Sequence, residues 1–459
     1  MEGWHKLAIQ RSEELQQEVL SATPSAVSPL YSHVIIQSEE KILSLMRAQK
    51  GRRFGIKLNK RFSKWKSKVN MLIVNLLYSS SDGLLLARKY LRQEEQTTTG
   101  IQQILDVVDK LRPNRKTLSR IPAFYRTLFS SKSLINEDFL VPMNQEMTVF
   151  QNALKRHREG LGGAIMISGV YGAGKSTFIR FATRRYFKKD RVFTIQPTTG
   201  EATIENWRLA LQQSLGGGLH NDDIFEVLPV DSVIIIDDLE LWWERSLQGY
   251  QVVNEIFRLV SLFGPKVMFV LGCNQFAFKQ MAGTIAFHNH LLARIECKPF
   301  DTKRIQELIM LRHRSSGFSF NYKNASEQGI LPIRMASLFH SLFRYSQGIP
   351  RVAMSGWLNS IQRARQQTLY LAKPELPDTE IFRKLDKDWL IIISLFAQHK
   401  LMTIGTLARV LRQNEDETKQ VISLLMNAGL LVLAEHSSYR LTPAIEPLLI
   451  DVCLEFGLI

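Results

Sequence analysis

Cysteine is scarce in this chain: Cys273, Cys297 and Cys453 are the only three in 459 residues, and none forms a CxxC pair. Such spacing supports neither a zinc site nor a disulfide framework, and it fits a reducing compartment. Long apolar runs are missing too. The best candidate, which starts at Met71 (MLIVNLLYSS), breaks well short of the ~20 residues that a spanning helix needs. The first residues, MEGWHKLAIQ, contain no apolar core of a secretory signal. There is no internal repeat and no low-complexity tract, which excludes solenoids and compositionally biased segments. These absences predict a soluble, cytoplasmic chain, with attachment to a membrane surface left open.

Acidic side chains are the other deficit. Lysine and arginine number 59 against 43 aspartate and glutamate, a net charge of +16, so an anionic partner is expected: nucleic acid, anionic lipid or a nucleotide. The excess is local. Residues 1–140 hold 23 basic and 13 acidic side chains, and the run from Arg47 to Lys68 carries ten cations and no acid. Phe54, Phe62 and Trp65 are interleaved there, and Leu58, Phe62, Trp65, Val69, Leu72 and Leu76 fall at helical steps of four and three. A basic amphipathic helix of this kind fits a packed element with a solvated face, an anionic membrane or protein dock, or a nucleic-acid backbone. The residues leave all three open.

Periodicity divides the chain into five parts. Residues 1–135 read as a helical, basic region with turn signals at Arg112-Pro113-Asn114 and Pro122. From 136 to 300, apolar runs of strand length alternate with helical stretches: Ala164–Gly169, Val192–Gln196, Val233–Ile236, Val267–Gly272 and a weaker Ile295–Lys298. That alternation predicts an α/β fold, a parallel sheet covered by helices. Residues 301–370 read as helical, 371–384 as a linker holding Pro374 and Pro377, and 385–459 as a compact helical unit ending in a hairpin.

Gly169-Val170-Tyr171-Gly172-Ala173-Gly174-Lys175-Ser176 fits the phosphate-loop pattern GxxxxGK[ST], and Thr177 follows. In such a loop the backbone N–H groups turn toward phosphates, the lysine reaches the β- and γ-phosphates of ATP, and the serine hydroxyl holds Mg²⁺. An apolar strand enters the loop and a helix leaves it, which sets a helix N-terminus against the anion. About sixty residues later, four apolar β-formers end at Asp237-Asp238. Asp237 is the expected Mg²⁺ partner, through water, and Asp238 or else Glu240 would orient or activate the attacking water. Asn274 closes a third strand, where it could hydrogen-bond that water or the γ-phosphate. No N/TKxD motif for guanine is present.

This order of parts resembles the AAA+ P-loop ATPases, in the branch that contains origin-recognition and other initiator-type proteins. The resemblance covers the chain from about Asn136 to its end. Phe139-Leu-Val-Pro-Met-Asn-Gln-Glu146 is similar to the segment that opens such modules, although Pro142 and Met143 replace the usual Gly-Arg. It implies a sensor-1 role for Asn274, an arginine-finger role for Arg294 just ahead of the fifth strand, and a sensor-2 role for Arg351 in Gly348-Ile-Pro-Arg351 of a helical lid. A finger acts in trans, so the active form would be a homo-oligomer that remodels a macromolecular partner. The stretches at Asp237–Arg245, Leu311–Gly317 and Gly348–Trp357 also resemble bacterial ATPase modules often fused to membrane segments, which implies a bacterial source.

The last part looks like a winged helix, with three amphipathic helices and a hairpin, as many initiator-type relatives use on DNA. Its charge argues otherwise. Residues 381–459 carry eight basic and nine acidic side chains, and the third helix opens on Glu415, Asp416 and Glu417. A surface that neutralises phosphates is not built this way, and a protein-contact or intramolecular role fits better. Three functions therefore stand open: a hydrolysing, oligomerising ATPase, a slow nucleotide-dependent switch, and a DNA-associated ATPase like initiators or transposition helpers.

Overall fold

The computed structural model describes residues 101–459 except 112–114, 131–136, 198–199, 217–220, 247 and 377–378. The basic run at 47–68, its apolar stripe and the turn at Arg112–Asn114 lie outside the described residues.

Five strands form one parallel sheet: β1 (Ala164–Gly169), β2 (Val192–Ile195), β3 (Val233–Ile236), β4 (Met268–Asn274) and β5 (Leu291–Glu296), in the order β2-β3-β4-β1-β5. Every residue of β1, β3 and β4 is buried, because helices cover both faces and leave no reason for polar alternation. Ala164 and Met166 of β1 join a core containing Trp207, Trp242 and Phe257, while Ile165 and Ile167 join one containing Phe150 and Phe178. The order sets the carboxyl ends of β3, β4 and β1 side by side, at the edge where open α/β sheets bind ligands.

β5 begins four residues before the expected Ile295. It is an edge strand in which only Ile295 is buried and Leu291–Ala293 are half-buried, and the exposed Arg294 cuts its apolar sequence into two short pieces. Arg294 consequently lies within the strand and not ahead of it.

The helical reading of 301–370 also needs correction. Helices Thr302–Ser315, Pro332–Ser346 and Pro350–Ser360 form, but so does a second sheet of β6 (Ser319–Tyr322), β7 (Ala325–Ser326), β8 (Ile361–Arg365) and β9 (Thr368–Leu371), in the order β7-β6-β9-β8. Strands of four residues or so turn only about two side chains inward: Phe320 and Tyr322 in β6, Leu369 and Leu371 in β9. Two positions are too few for a period of 2 to register, and β6 pairs with β9 across a long gap in sequence.

The C-terminal part holds the helices Lys387–His399, Ile404–Leu411 and Glu415–Asn427 and an antiparallel hairpin of β10 (Leu431–Leu433) and β11 (Tyr439–Leu441). It does not end there. A further helix, Glu446–Glu455, closes the chain. Pro447 sits in its first turn, a favourable place for proline, and Leu448, Leu449, Ile450, Val452 and Cys453 are all buried, so no polar face revealed a helical period. The core beneath these elements, with Phe396, Leu407, Ile422 and Leu449, is continuous with Phe276, Ile349 and Val352 of the preceding parts. Among the described residues no helix is long and apolar enough to cross a membrane.

Candidate functional site

Gly169 ends β1 and Lys175 opens the helix Lys175–Tyr186, so the intervening residues form a strand-to-helix loop. Gly172 has φ +82°, and a Cβ there would lie 2.9 Å from both Cβ and Nε of Arg351. Glycine is thus needed twice, for the backbone and for the lid arginine that rests on the loop. Ala173 is buried and its amide donates to the Val170 carbonyl at 3.2 Å, while Thr177 is exposed on the helix that follows Gly174. The Lys175 ammonium is buried beneath the loop and donates to the carbonyls of Gly169 (3.1 Å) and Val170 (3.2 Å).

Asp237 follows β3 directly; its Oδ1 accepts from the Asp238 amide at 3.0 Å, and its carboxylate is close enough to the Ser176 side chain to feel it. Burial and the neighbouring Asp238 charge push its carboxyl above the ordinary range, against the pull of Ser176, Lys400 and Lys175. Gly272 of β4 makes room for this group: a Cβ there would stand 2.3 Å from Asp237 Oδ1. The donor set fits Mg²⁺ bound through one hydroxyl, one carboxylate, waters and substrate phosphates. Among the described residues no cluster of three or more His, Cys, Asp or Glu could hold a metal alone.

The two candidates for the water-activating carboxylate have different surroundings. Asp238 sits at φ +57° at the start of the short 3₁₀ turn Leu239–Trp242, and its Oδ2 is ion-paired with Lys400. Glu240 is 1% exposed. It accepts from the Asn274 amide at 2.9 Å, and burial, followed by the Asp238 charge, lifts its carboxyl to about 7. Its carboxylate therefore braces the end of β4, and Asp238 is the carboxylate at the rim.

Asn274 is aligned with Gly169 across β4 and β1. Its carboxamide is engaged elsewhere: Oδ1 accepts from the Phe276 amide at 2.9 Å and Nδ2 donates to the Ala397 carbonyl at 2.9 Å. Arg351, in the first turn of Pro350–Ser360, lies 4.3 Å above the centroid of the Tyr171 ring and donates to Glu446 at 2.6 Å. Arg294 is not drawn into this group. Its guanidinium covers the Phe278 ring at 4.3 Å, with Nε 3.4 Å from Ser168 Oγ, on the exposed side of the edge strand.

The C-terminal part supplies residues that no motif announced. Lys400 pairs with Asp238 and lies 5.1 Å from the Tyr171 ring centroid, Arg440 Nη1 approaches the Tyr171 hydroxyl at 3.5 Å, and Glu446 holds Arg351. Burial pulls the Lys400 ammonium down, but Asp238 and Glu240 reverse this and hold it above its ordinary value. Among the described residues the buried Nε atoms of Arg351 and Arg440 have no hydrogen-bond partner, so two donors beside the loop have capacity for an anion. More contacts fasten the same interface: Arg409 to Glu244 at 3.0 Å, Gln347 to Asp451, and His399 stacked on Trp243 at 4.4 Å and 19°. The only sequence signal was indirect, the near-neutral charge that disfavoured a DNA-reading role for this part.

No protein-family model matches the chain, and no curated protein matches it in sequence. Solved structures with a similar backbone include the Aeropyrum pernix ORC2 protein in ADPNP–ADP complexes, at 14% identity over 72% of this chain and 98% of that one, with a TM-score of 0.41. The Walker-type ATPase of Pyrococcus abyssi is 12% identical over 70% of this chain and 99% of its own, with a TM-score of 0.41. The Thermotoga maritima RuvB Holliday junction branch migration motor is 14% identical over 70% and 98%, with a TM-score of 0.34. Similarity at this distance assigns no activity.

Proposed function

We propose that this chain is an ATP-binding and ATP-hydrolysing P-loop ATPase of the AAA+ kind, working as a homo-oligomer on a macromolecular partner. One observation carries the reading: Lys175 and Ser176 on one side and Asp237 on the other converge at the ends of β1 and β3, with β4 between them. In this reading the loop from Gly169 to Thr177 cradles the phosphates and Lys175 offsets the charge on the β- and γ-oxygens. Ser176 and Asp237 would hold Mg²⁺, which would supply Lewis-acid stabilisation of the charge that develops on the phosphoryl oxygens. Asp238 accepts from the attacking water, and Arg351 reports phosphate state to the lid. Arg294, displayed on an exposed edge strand, serves the site of an adjacent copy.

A second reading, a slow nucleotide-dependent switch, draws support from the C-terminal contacts with Asp238, Arg351 and Asn274. There the cycle changes how firmly that part is held. The partner is an unidentified protein, with nucleic acid or an anionic membrane as candidates for residues 47–68.

The test is hydrolysis by the full chain against Lys175→Ala, at rising protein concentration, with sizing in ATP, in ADP and without nucleotide. Hydrolysis above the control, with a specific rate that climbs with concentration, is expected. No excess over Lys175→Ala at any concentration removes the enzyme. A concentration-independent rate with an ATP-dependent change in shape favours the switch.

A further inference from the structure

Lys400 occupies an unusual position. It follows the helix Lys387–His399 with φ +64° and ψ −53°, and the Leu401 amide donates back to the His399 carbonyl at 2.7 Å. This is a three-residue γ-turn in its strained, positive-φ form. A helix can end without such strain, and residues held in sparsely populated regions cluster where the surroundings over-determine them for function. Here the surroundings do so on both sides. Ala397 is tied through its carbonyl to Asn274, His399 is stacked on Trp243, and Met402 exchanges backbone bonds with Tyr439 at 3.1 and 2.8 Å. The result is a rigid mount that aims one ammonium into the site.

That ammonium is aimed at Asp238 and lies over the face of Tyr171, the residue in the middle of the phosphate loop. The Asp238 and Glu240 charges act on it, and Asp237 feels both Lys400 and Lys175. A second guanidinium, Arg440, approaches the Tyr171 hydroxyl with its Nε buried and unpartnered. A half-buried cation with one ion-paired carboxylate among the described residues, beside a loop that fits phosphates, has a natural competitor for that partner: the terminal phosphate of ATP, which carries more charge than one carboxylate.

We infer that Lys400 is a phosphate-reading residue of the ATP site, supplied by the C-terminal part, which distinguishes ATP from ADP by exchanging Asp238 for the γ-phosphate. This rests on the ATPase reading above. With ATP in the loop, Lys400 turns to the γ-phosphate oxygens and leaves the Asp238 carboxylate free to accept from water. With ADP, Lys400 stays on Asp238 and masks it. The same exchange ties the seating of the C-terminal part to the phosphate state, since the mount that aims Lys400 is hydrogen-bonded to Asn274 and stacked on Trp243.

The test is titration of the full chain with MgATP and with MgADP in wild type, Lys400→Met, Lys400→Arg and Asp238→Asn, each with a melting curve. Lys400→Met is expected to weaken ATP about tenfold, the loss of one charge-assisted contact, and to leave ADP within twofold. Lys400→Arg restores most of the preference for ATP. Asp238→Asn, which frees Lys400 from its competitor, tightens ATP several-fold with no gain for ADP. If Lys400→Met melts like wild type and keeps the wild-type ratio of ATP to ADP affinity, the inference is overturned and the ATP site stands. Should Lys400→Met fail to fold, the Asp238→Asn titration decides alone, and an unchanged or weaker ATP affinity overturns the inference. Wild type that binds neither nucleotide, like Lys175→Ala, overturns the ATP site itself.

Discussion

Two lysines lie near the Asp237-Asp238 pair, one from the loop after β1 and one from the C-terminal part. Lys175 opens a helix, is buried, and reaches the carbonyls of Gly169 and Val170 within its own loop. Lys400 closes a helix, is held in a strained turn, and crosses to Asp238 in a strand loop far away in sequence. The first is local: its partners lie five and six residues away, so strand, loop and helix place it without help. The second is remote: its partner lies 162 residues away, so its position exists only while the C-terminal part is seated. In the proposed reading, a site completed this way would couple chemistry to the seating of the C-terminal part, which the local lysine alone could not do.

The largest effect should come from the local lysine. Lys175→Ala is expected to lower ATP affinity or turnover by on the order of 100-fold, measured by titration and steady-state hydrolysis, with the melting temperature little changed. A loss no larger than that of Lys400→Met would break the comparison, since the loop would then not be the principal anchor. Next, Asp238→Asn should reduce kcat by roughly 100-fold, the scale of a lost general base, without weakening ATP. A comparable fall in Glu240→Gln with Asp238→Asn near wild type would transfer the role to Glu240.

The remote lysine can be disturbed through its mount. Burial holds His399 down at about 4, against an ordinary imidazole value of 6.5. A base lowered in the fold adds stability that is complete above its unfolded value and is lost as pH falls toward the folded one. Glu240, raised to about 7 from 4.5, works the other way, because its protonation below 7 favours the fold. Asp237, Glu446 and Asp451 are raised as well and act like Glu240, so the imidazole is read by difference: between pH 7 and 5, His399→Phe should remove about 2 kcal/mol of acid destabilisation relative to wild type, measured by thermal melting with Trp243 fluorescence as the local probe. Identical pH dependence in the two proteins would show that the imidazole is not held neutral against Trp243.

A smaller effect isolates the local side. Gly272→Ala places a methyl against Asp237 Oδ1 and should weaken Mg²⁺-dependent ATP binding about tenfold while leaving the His399–Lys400 turn seated. Calorimetric titration with and without Mg²⁺ checks it. Equal loss in both conditions would mean that Asp237 does not act through the metal.

Much of the fold was legible. β1, β3 and β4 are continuous apolar runs because both faces of the sheet are covered, and Gly169–Ser176 and Asp237-Asp238 stood out because each strand delivers its polar residue at its end. What escaped notice shares one property, dependence on distant partners. β6 and β9 are four residues each and are stabilised by pairing with one another. The helix Glu446–Glu455 is buried on nearly every side and so has no amphipathic period. β5 hid its start behind half-buried edge residues. Asn274 was placed correctly at its strand end, but nothing local showed that its carboxamide would be divided between Phe276 and Ala397.

By itself the sequence determined the strand-to-helix loop at Gly169–Ser176, the strands beside it and the position of Asp237-Asp238 at a strand end, since each rests on contacts within a few residues and on burial that any sheet core demands. Tertiary structure alone decided which cations finish the site. Lys400, Arg440 and the Arg351–Glu446 pair depend on how the C-terminal part packs on the lid and β4. A charge's partner is set by distance in space, and no spacing along the chain encodes it.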